Sequence, residues 1–193
     1  MFTFFKKRAQ RRQLANKLYT SLVQQARLPY FYTQKGVPDS FNGRFEMVLL
    51  HSYLVWARLL KEGQQGEILS QSLFDVMFTE MNQAVRNIGV GDLGVPHHIK
   101  RMMKAYKGRS LAYLKAIMAQ DDAALADSLR RNLYGTVTDV SAAQIEFFAA
   151  YIKQAHIVLE AQPSDAIMAG VIDFSGLNIP EGGTHEVDTR VVA

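Results

Sequence analysis

Cysteine is absent from the chain. Disulfides, thiolate metal sites and a cysteine nucleophile are therefore excluded, and a reducing compartment is compatible with that composition. Long hydrophobic runs are missing too. A membrane-spanning helix needs about 18 or more apolar residues in succession, and the best candidate, Met47 to Leu60, is interrupted by His51, Ser52 and Arg58. A secretory leader is not readable at the start, "MFTFFKKRAQRR", because its short apolar part precedes its charges. The expected location is cytoplasmic. Acidic residues are scarce in the first part of the chain: residues 1–60 carry ten Lys/Arg against two Asp/Glu, a balance of +8. Residues 61–193 carry twelve against sixteen, or −4, which accounts for the net +4. Such asymmetry suits an acidic partner or an anionic surface near the N-terminal part.

What the sequence does contain is helical periodicity. With 193 residues, 48% of them apolar, it has the makings of one well-buried domain. Leu14, Leu18, Leu22 and Val23 predict a helix over residues 11–25. The connection "RLPYFYTQKGVPDSFNG" follows, and its aromatics Tyr30, Phe31 and Tyr32 predict that it packs down onto the core. Phe45, Val48, Leu49, Trp56, Leu59 and Leu60 give a second helix over 44–61, stopped by "EGQQG". Leu69, Leu73, Val76, Met77, Met81 and Val85 give a third over 67–87. A fourth starts at Pro96, a favoured first-turn residue, and runs to about residue 119 with Ile99, Met102, Met103, Tyr106, Tyr113, Leu114 and Ile117 inward. A shorter helix over 121–134 begins with an acidic pair suited to the helix dipole and stops at Gly135. Ser141 and Gln144 form a capping box for the next, which continues through Ile145, Phe148, Ile152 and Leu159. The fold class expected is all-α: one domain of about six to seven helices over 13–178, a basic and aromatic segment over 1–12, and a disordered acidic tail over 179–193.

One stretch, "VRNIGVGDLGVPHHIKRMMKAYKGRSLAY", resembles a binding loop. Gly89, Gly91 and Gly94 are spaced as GxGxxG, yet a dinucleotide site needs a strand before the glycines, and here a long helix precedes them. His97 and His98 are adjacent, so on a helix they point about 100° apart and do not face one ion. No metal or cofactor is expected. The remaining reading is a structural corner of Gly89, Gly91 and Asp92, with Asp92 bonding nearby amides. The corner presents Lys100, Lys104 and Lys107 at i, i+4 and i+7, with Arg101 beside them. A solvated face and a binding face are both open for these cations. Gly108, inside a helix, is expected to allow close packing, leaving Arg109 to pair with a buried or interfacial acid.

At these residues a resemblance enters. "LYTSLVQQARLPYFYTQKGVPDSFNGRFEMVLLHSYLVWARLL", "IGVGDLGV" and "YKGRSLAYLKAI" resemble the ubiquinol–cytochrome c chaperone family in content and order. The similarity runs from about Leu18 to Phe174 and departs at Asn82, where an aspartate is expected. The resemblance implies an all-helical, non-enzymatic assembly factor for respiratory complex III. It implies a client, newly made cytochrome b, and it brings a second assembly factor and the ribosome into view as partners. It places the protein at the periphery of the inner membrane. Nothing points to DNA.

Candidate contacts follow. Lys100, Arg101, Lys104, Lys107, Arg109 and Arg44 form the candidate client-contact set. Phe2, Phe4, Phe5, Lys6, Lys7 and Arg8 form a candidate contact with an anionic membrane, since aromatics enter the interface and each cation contributes roughly 1 kcal/mol there; a frayed, soluble terminus is the other reading. Met77, Met81, Met102, Met103 and Met118 fall mostly on inward faces as core filler, or in part line an adaptable groove. Trp56, Tyr53 and Tyr106 leave open a pocket for a quinone or another apolar ligand. Ribosome or RNA binding rests on basic residues without any RNA-module motif, and no nucleophile–base set is recognisable.

Overall fold

A computed structural model describes residues 2–180, with side chains from Lys6 onward. The side chains of the candidate contacts Phe2, Phe4 and Phe5, and the predicted tail beyond residue 180, lie outside what is described. Eight α-helices follow in order: α1 Phe2–Ala26, α2 Pro29–Thr33, α3 Phe41–Leu59, α4 Gly63–Asn87, α5 Val95–Met118, α6 Asp122–Asn132, α7 Ala142–Glu160 and α8 Ser164–Met168. Six of them have 11 residues or more, as the sequence predicts, and no strand occurs among the described residues. No described helix is long and apolar enough to cross a membrane.

The centre is α3. Fifteen of its 19 residues are buried, because α1, α4, α5 and α7 all pack against it. A helix enclosed on every side must be apolar all round, and Met47–Val55 is so except for His51 and Ser52. α1 presents Ala15, Leu18, Leu22 and Ala26 to this core, all fully buried. Burial of each such leucine contributes roughly 1.5–3 kcal/mol. α6 lies between α5 and α7.

The predicted helix starts are visible as caps. Ser40 accepts from the Gly43 amide (3.2 Å) and Asp121 from the Ala124 amide (2.9 Å). Ser141 and Gln144 form the reciprocal capping box at the start of α7. The aromatic connection does pack down: α2 buries Phe31 fully, with its ring 5.3 Å from that of Tyr151 and 5.7 Å from that of Phe148.

Three local expectations need correction. The third predicted helix starts earlier than residue 67: α3 ends at Leu59, and one 3₁₀ turn, Leu60–Glu62, leads directly into α4 at Gly63, inside "EGQQG". Gly108 makes no close approach, since a Cβ there would meet nothing within 4 Å; it sits on the solvent face of α5. Met103 and Met118 point outward, 37% and 76% exposed, because α5 has partners on one side only.

Buried polar groups tie the helices together. His51 is fully buried and makes two hydrogen bonds. Its Nδ1 is 2.8 Å from the Met47 carbonyl and its Nε2 2.6 Å from the Tyr151 hydroxyl. The carbonyl can only accept, so Nδ1 carries the proton, Nε2 accepts from Tyr151, and the Tyr151 oxygen accepts from Gln25 Nε2 (3.1 Å). The chain of bonds links α3, α7 and α1, and burial holds the His51 imidazole down at about 4, hence neutral. His156 on α7 meets the Tyr53 hydroxyl at 2.9 Å. Arg58, 6% exposed, donates Nε to the Leu159 carbonyl (2.9 Å) and a terminal nitrogen to the Gln162 carbonyl (3.1 Å), and it pairs with Glu62. It adds side-chain donors to carbonyls at and just beyond the C-terminus of α7.

Candidate binding groove

The residues between α4 and α5 form the corner predicted from the glycines, though its chemistry differs. Gly89 takes φ +87°, a conformation that costs glycine little. The Gly91 carbonyl accepts from the amides of Gly94 (2.7 Å) and Val95 (3.2 Å), which starts α5. Asp92 makes no hydrogen bond to a backbone amide among the described residues. Its carboxylate pairs with Arg86 at the end of α4.

From this corner α5 runs with one face inward and one face free. The free face borders a groove of about 930 Å³. Its floor is apolar and aromatic: Trp56 from α3, Phe74 from α4, and Met103, Tyr106 and Leu111 from α5. Its rim is cationic, with Lys100, Arg101, Lys104 and Lys107. No carboxylate lines the groove, and none of these four cations takes part in an ion pair among the described residues. Arg101 instead contacts His98 (3.1 Å).

The other two cations of the predicted set are differently placed. Arg44 is held by Asp39 at 2.6 Å. Arg109 is held by Glu46 of α3 at 2.6 Å, the acid partner expected for it. That pair borders a second, more polar depression of about 460 Å³ between α3, α5 and α6, which Arg101, Arg131 and Asn132 also line. Burial pushes the Glu46 carboxyl up to about 7 despite Arg109. Its second oxygen, Oε2, is buried with no hydrogen-bond partner among the described residues.

Lys6, Lys7 and Arg8 are exposed on the first turns of α1. Arg8 and Arg12 flank a shallow depression whose far wall is Ser72, Asp75, Val76 and Thr79 of α4. The structure thus brings Lys100, Arg101, Lys104 and Lys107 together over one groove and leaves Arg44, Arg109 and the α1 cations apart from it. Periodicity missed Phe74 and Glu46. Phe74 follows the inward Leu73 and carries no signal of its own. A lone glutamate in the apolar run Phe45–Leu50 is the signal for Glu46, since such a group is seldom buried unless paired.

Comparison with known proteins agrees with this architecture. The family model described as ubiquinol–cytochrome C chaperone matches residues 33–174. The mouse ubiquinol–cytochrome c reductase complex assembly factor 1 is 25% identical over 164 residues, covering 84% of this chain and 55% of that protein. The yeast mitochondrial protein CBP3 is 25% identical over 154 residues, 75% of this chain and 44% of that protein. The chain thus spans about half the length of these two relatives. A crystal structure of the Cbp3 homolog from Brucella abortus superposes with a TM-score of 0.76 and 31% identity, covering 89% of this chain and 96% of that one. The family-model match over residues 33–174 and the shared fold at 31% identity converge: the chain belongs to the ubiquinol–cytochrome c chaperone family.

Proposed function

We propose that this chain is a non-enzymatic assembly chaperone for the ubiquinol–cytochrome c reductase complex, and that it holds newly made cytochrome b at the membrane surface. The observation that carries the reading is the match over residues 33–174 to a chaperone family whose similar members are named assembly factors of that complex. The groove supports it. A chaperone must offer an apolar surface to a client not yet in place, and an adaptable one suits the task. Met103 and Leu111, exposed beside Trp56 and Phe74, form such a surface. The unpaired cations Lys100, Arg101, Lys104 and Lys107 form the contact rim, while Arg109 and Arg44 hold the neighbouring helix starts in place. Lys6, Lys7 and Arg8 add a weak attraction to anionic lipid.

Deleting the gene in its own host, then recording reduced-minus-oxidised spectra and quinol–cytochrome c reductase activity of the membranes, tests the reading. Loss of the b-haem signal and of activity, restored by a plasmid copy, is the expected result. Normal spectra and full activity would overturn it. Direct client contact is read by cross-linking. Charge reversal of Lys100, Lys104 and Lys107 to Glu should lower the cytochrome b cross-link while leaving helicity intact. An unchanged cross-link would remove this rim from the contact surface.

A further inference from the structure

We infer that the groove between α4 and α5 is a binding site for a single anionic amphiphile, a lipid with one acyl chain on the floor and its phosphate on the lysine rim. The inference stands on the groove itself, not on the identity of the client.

Four observations carry it. The groove's volume, about 930 Å³, falls within the range of small-ligand sites, roughly 300–1,000 Å³. The groove runs along α5: from Lys100 to Leu111 the helix rises roughly 17 Å, Met103, Tyr106 and Leu111 all line the groove, Leu111 continues the row of Lys100, Lys104 and Lys107, and Trp56 and Phe74 come from α3 and α4. The charge is of one sign, because every charged group lining the groove is a cation and none of the four rim cations has an ion-pair partner among the described residues. Finally, Trp56 is half-buried in a helix whose neighbouring residues 45–55 and 57–59 are buried, so the floor reaches down to the wall of α3. An aromatic floor beneath a basic rim is the complement of an alkyl chain that ends in a phosphate. A neutral apolar ligand would leave the lysines unused, and a small anion would leave the floor bare.

Trp56 is the chain's single tryptophan and reports on the floor directly. The experiment titrates the full chain with lysophosphatidylglycerol below its micelle concentration and follows Trp56 emission, with lysophosphatidylcholine and glycerol phosphate as matched probes. Saturable one-to-one binding of the anionic lysolipid is expected, at least tenfold tighter than the zwitterionic one, with no response to glycerol phosphate. Two variants locate the site. Changing Lys100, Lys104 and Lys107 together to Gln should weaken binding at least tenfold, and Leu111→Glu should abolish it. Lys17→Gln with Arg27→Gln, exposed on α1 and just after its end, should leave it unchanged; circular dichroism confirms that each variant is folded.

Equal affinity for both lysolipids would overturn the inference, since the rim would then play no part. Binding of glycerol phosphate as tight as that of the lysolipid would reduce the site to a phosphate patch. A non-saturating signal, or equal loss in the α1 variant, would leave only surface adsorption. Displacement of the lysolipid by an acidic amphipathic peptide at lower concentration would assign the groove to a protein helix instead. The inference shares its lysine rim with the proposed client contact, but lipid binding is read on the isolated chain and none of these results bears on the b-haem phenotype, so failure of one reading is distinguishable from failure of the other.

Discussion

Replacing Glu46 by Gln should tilt the pH dependence of folding stability. The Glu46 carboxyl titrates at about 7 instead of 4.5, because burial disfavours its anion more than Arg109 favours it. A folded-state pKa above the unfolded one stabilises the fold fully below pH 4.5, and that contribution is lost as pH rises through 7. Five residues along α3, His51 runs the other way. Its folded value of about 4, against 6.5, gives a contribution present above 6.5 and lost as pH falls through 4. At about 1.4 kcal/mol per pH unit, each group changes stability by roughly 2 kcal/mol between about pH 5 and about pH 7.5, with opposite signs. The two slopes nearly cancel in the native protein. His156, also held down by burial, adds to the His51 side. Glu46→Gln keeps the shape and an acceptor for Arg109 but cannot titrate. The variant should therefore be about 2 kcal/mol more stable at the higher pH than at the lower. Urea unfolding followed by far-UV circular dichroism at the two pH values measures this. Identical slopes for native protein and variant would refute the reasoning: Glu46 would then be ionised throughout, with the Arg109 pair outweighing burial.

Other substitutions have equally definite outcomes. Arg58→Leu removes a side-chain donor from the Leu159 and Gln162 carbonyls and the buried cation paired with Glu62. It should cost about 3 kcal/mol, or roughly 6–12 °C in a thermal melt. Gly108→Ala should raise stability by about 1 kcal/mol, since the new Cβ meets open space in mid-helix; a loss would restore a packing role for that glycine. Gly170→Ala should instead cost about 1–3 kcal/mol, because φ is +80° and the Cβ would lie 2.9 Å from the Leu14 carbonyl oxygen. Phe31→Ala, which empties the space between α2 and α7, should cost about 3–5 kcal/mol in urea titrations.

The helices were readable because each long one carries its own local signal. Leu14, Leu18 and Leu22 lie on one face of α1, and Ser141 with Gln144 caps α7, with no reference to the rest of the chain. What spacing does not encode is which faces meet. Glu46 finds Arg109, and Arg58 finds the end of α7 a hundred residues later, only once the helices pack. Sequence reading correctly expects an acid for Arg109 but has no means of selecting Glu46. Gly108 fails for a related reason. A glycine in a helix reads as a close approach when a neighbour is assumed, and α5 has none on that side. The groove was half legible: the lysine spacing gave its rim, while its floor takes residues from three helices.

The enclosure of α3 also makes the molecule's motions unequal. With nearly every side chain covered by four other helices, its amides have no local route to solvent. They exchange with deuterium only when the whole domain opens, so they report the global free energy of unfolding. The outer turns of α5 around Met103 and Lys107 are covered on one side only and open by smaller fluctuations. Anything that settles on α5 should slow exchange there and leave the exchange of α3 to rise only with overall stability. The contrast between the two helices thus separates local occupancy from general stabilisation within a single experiment.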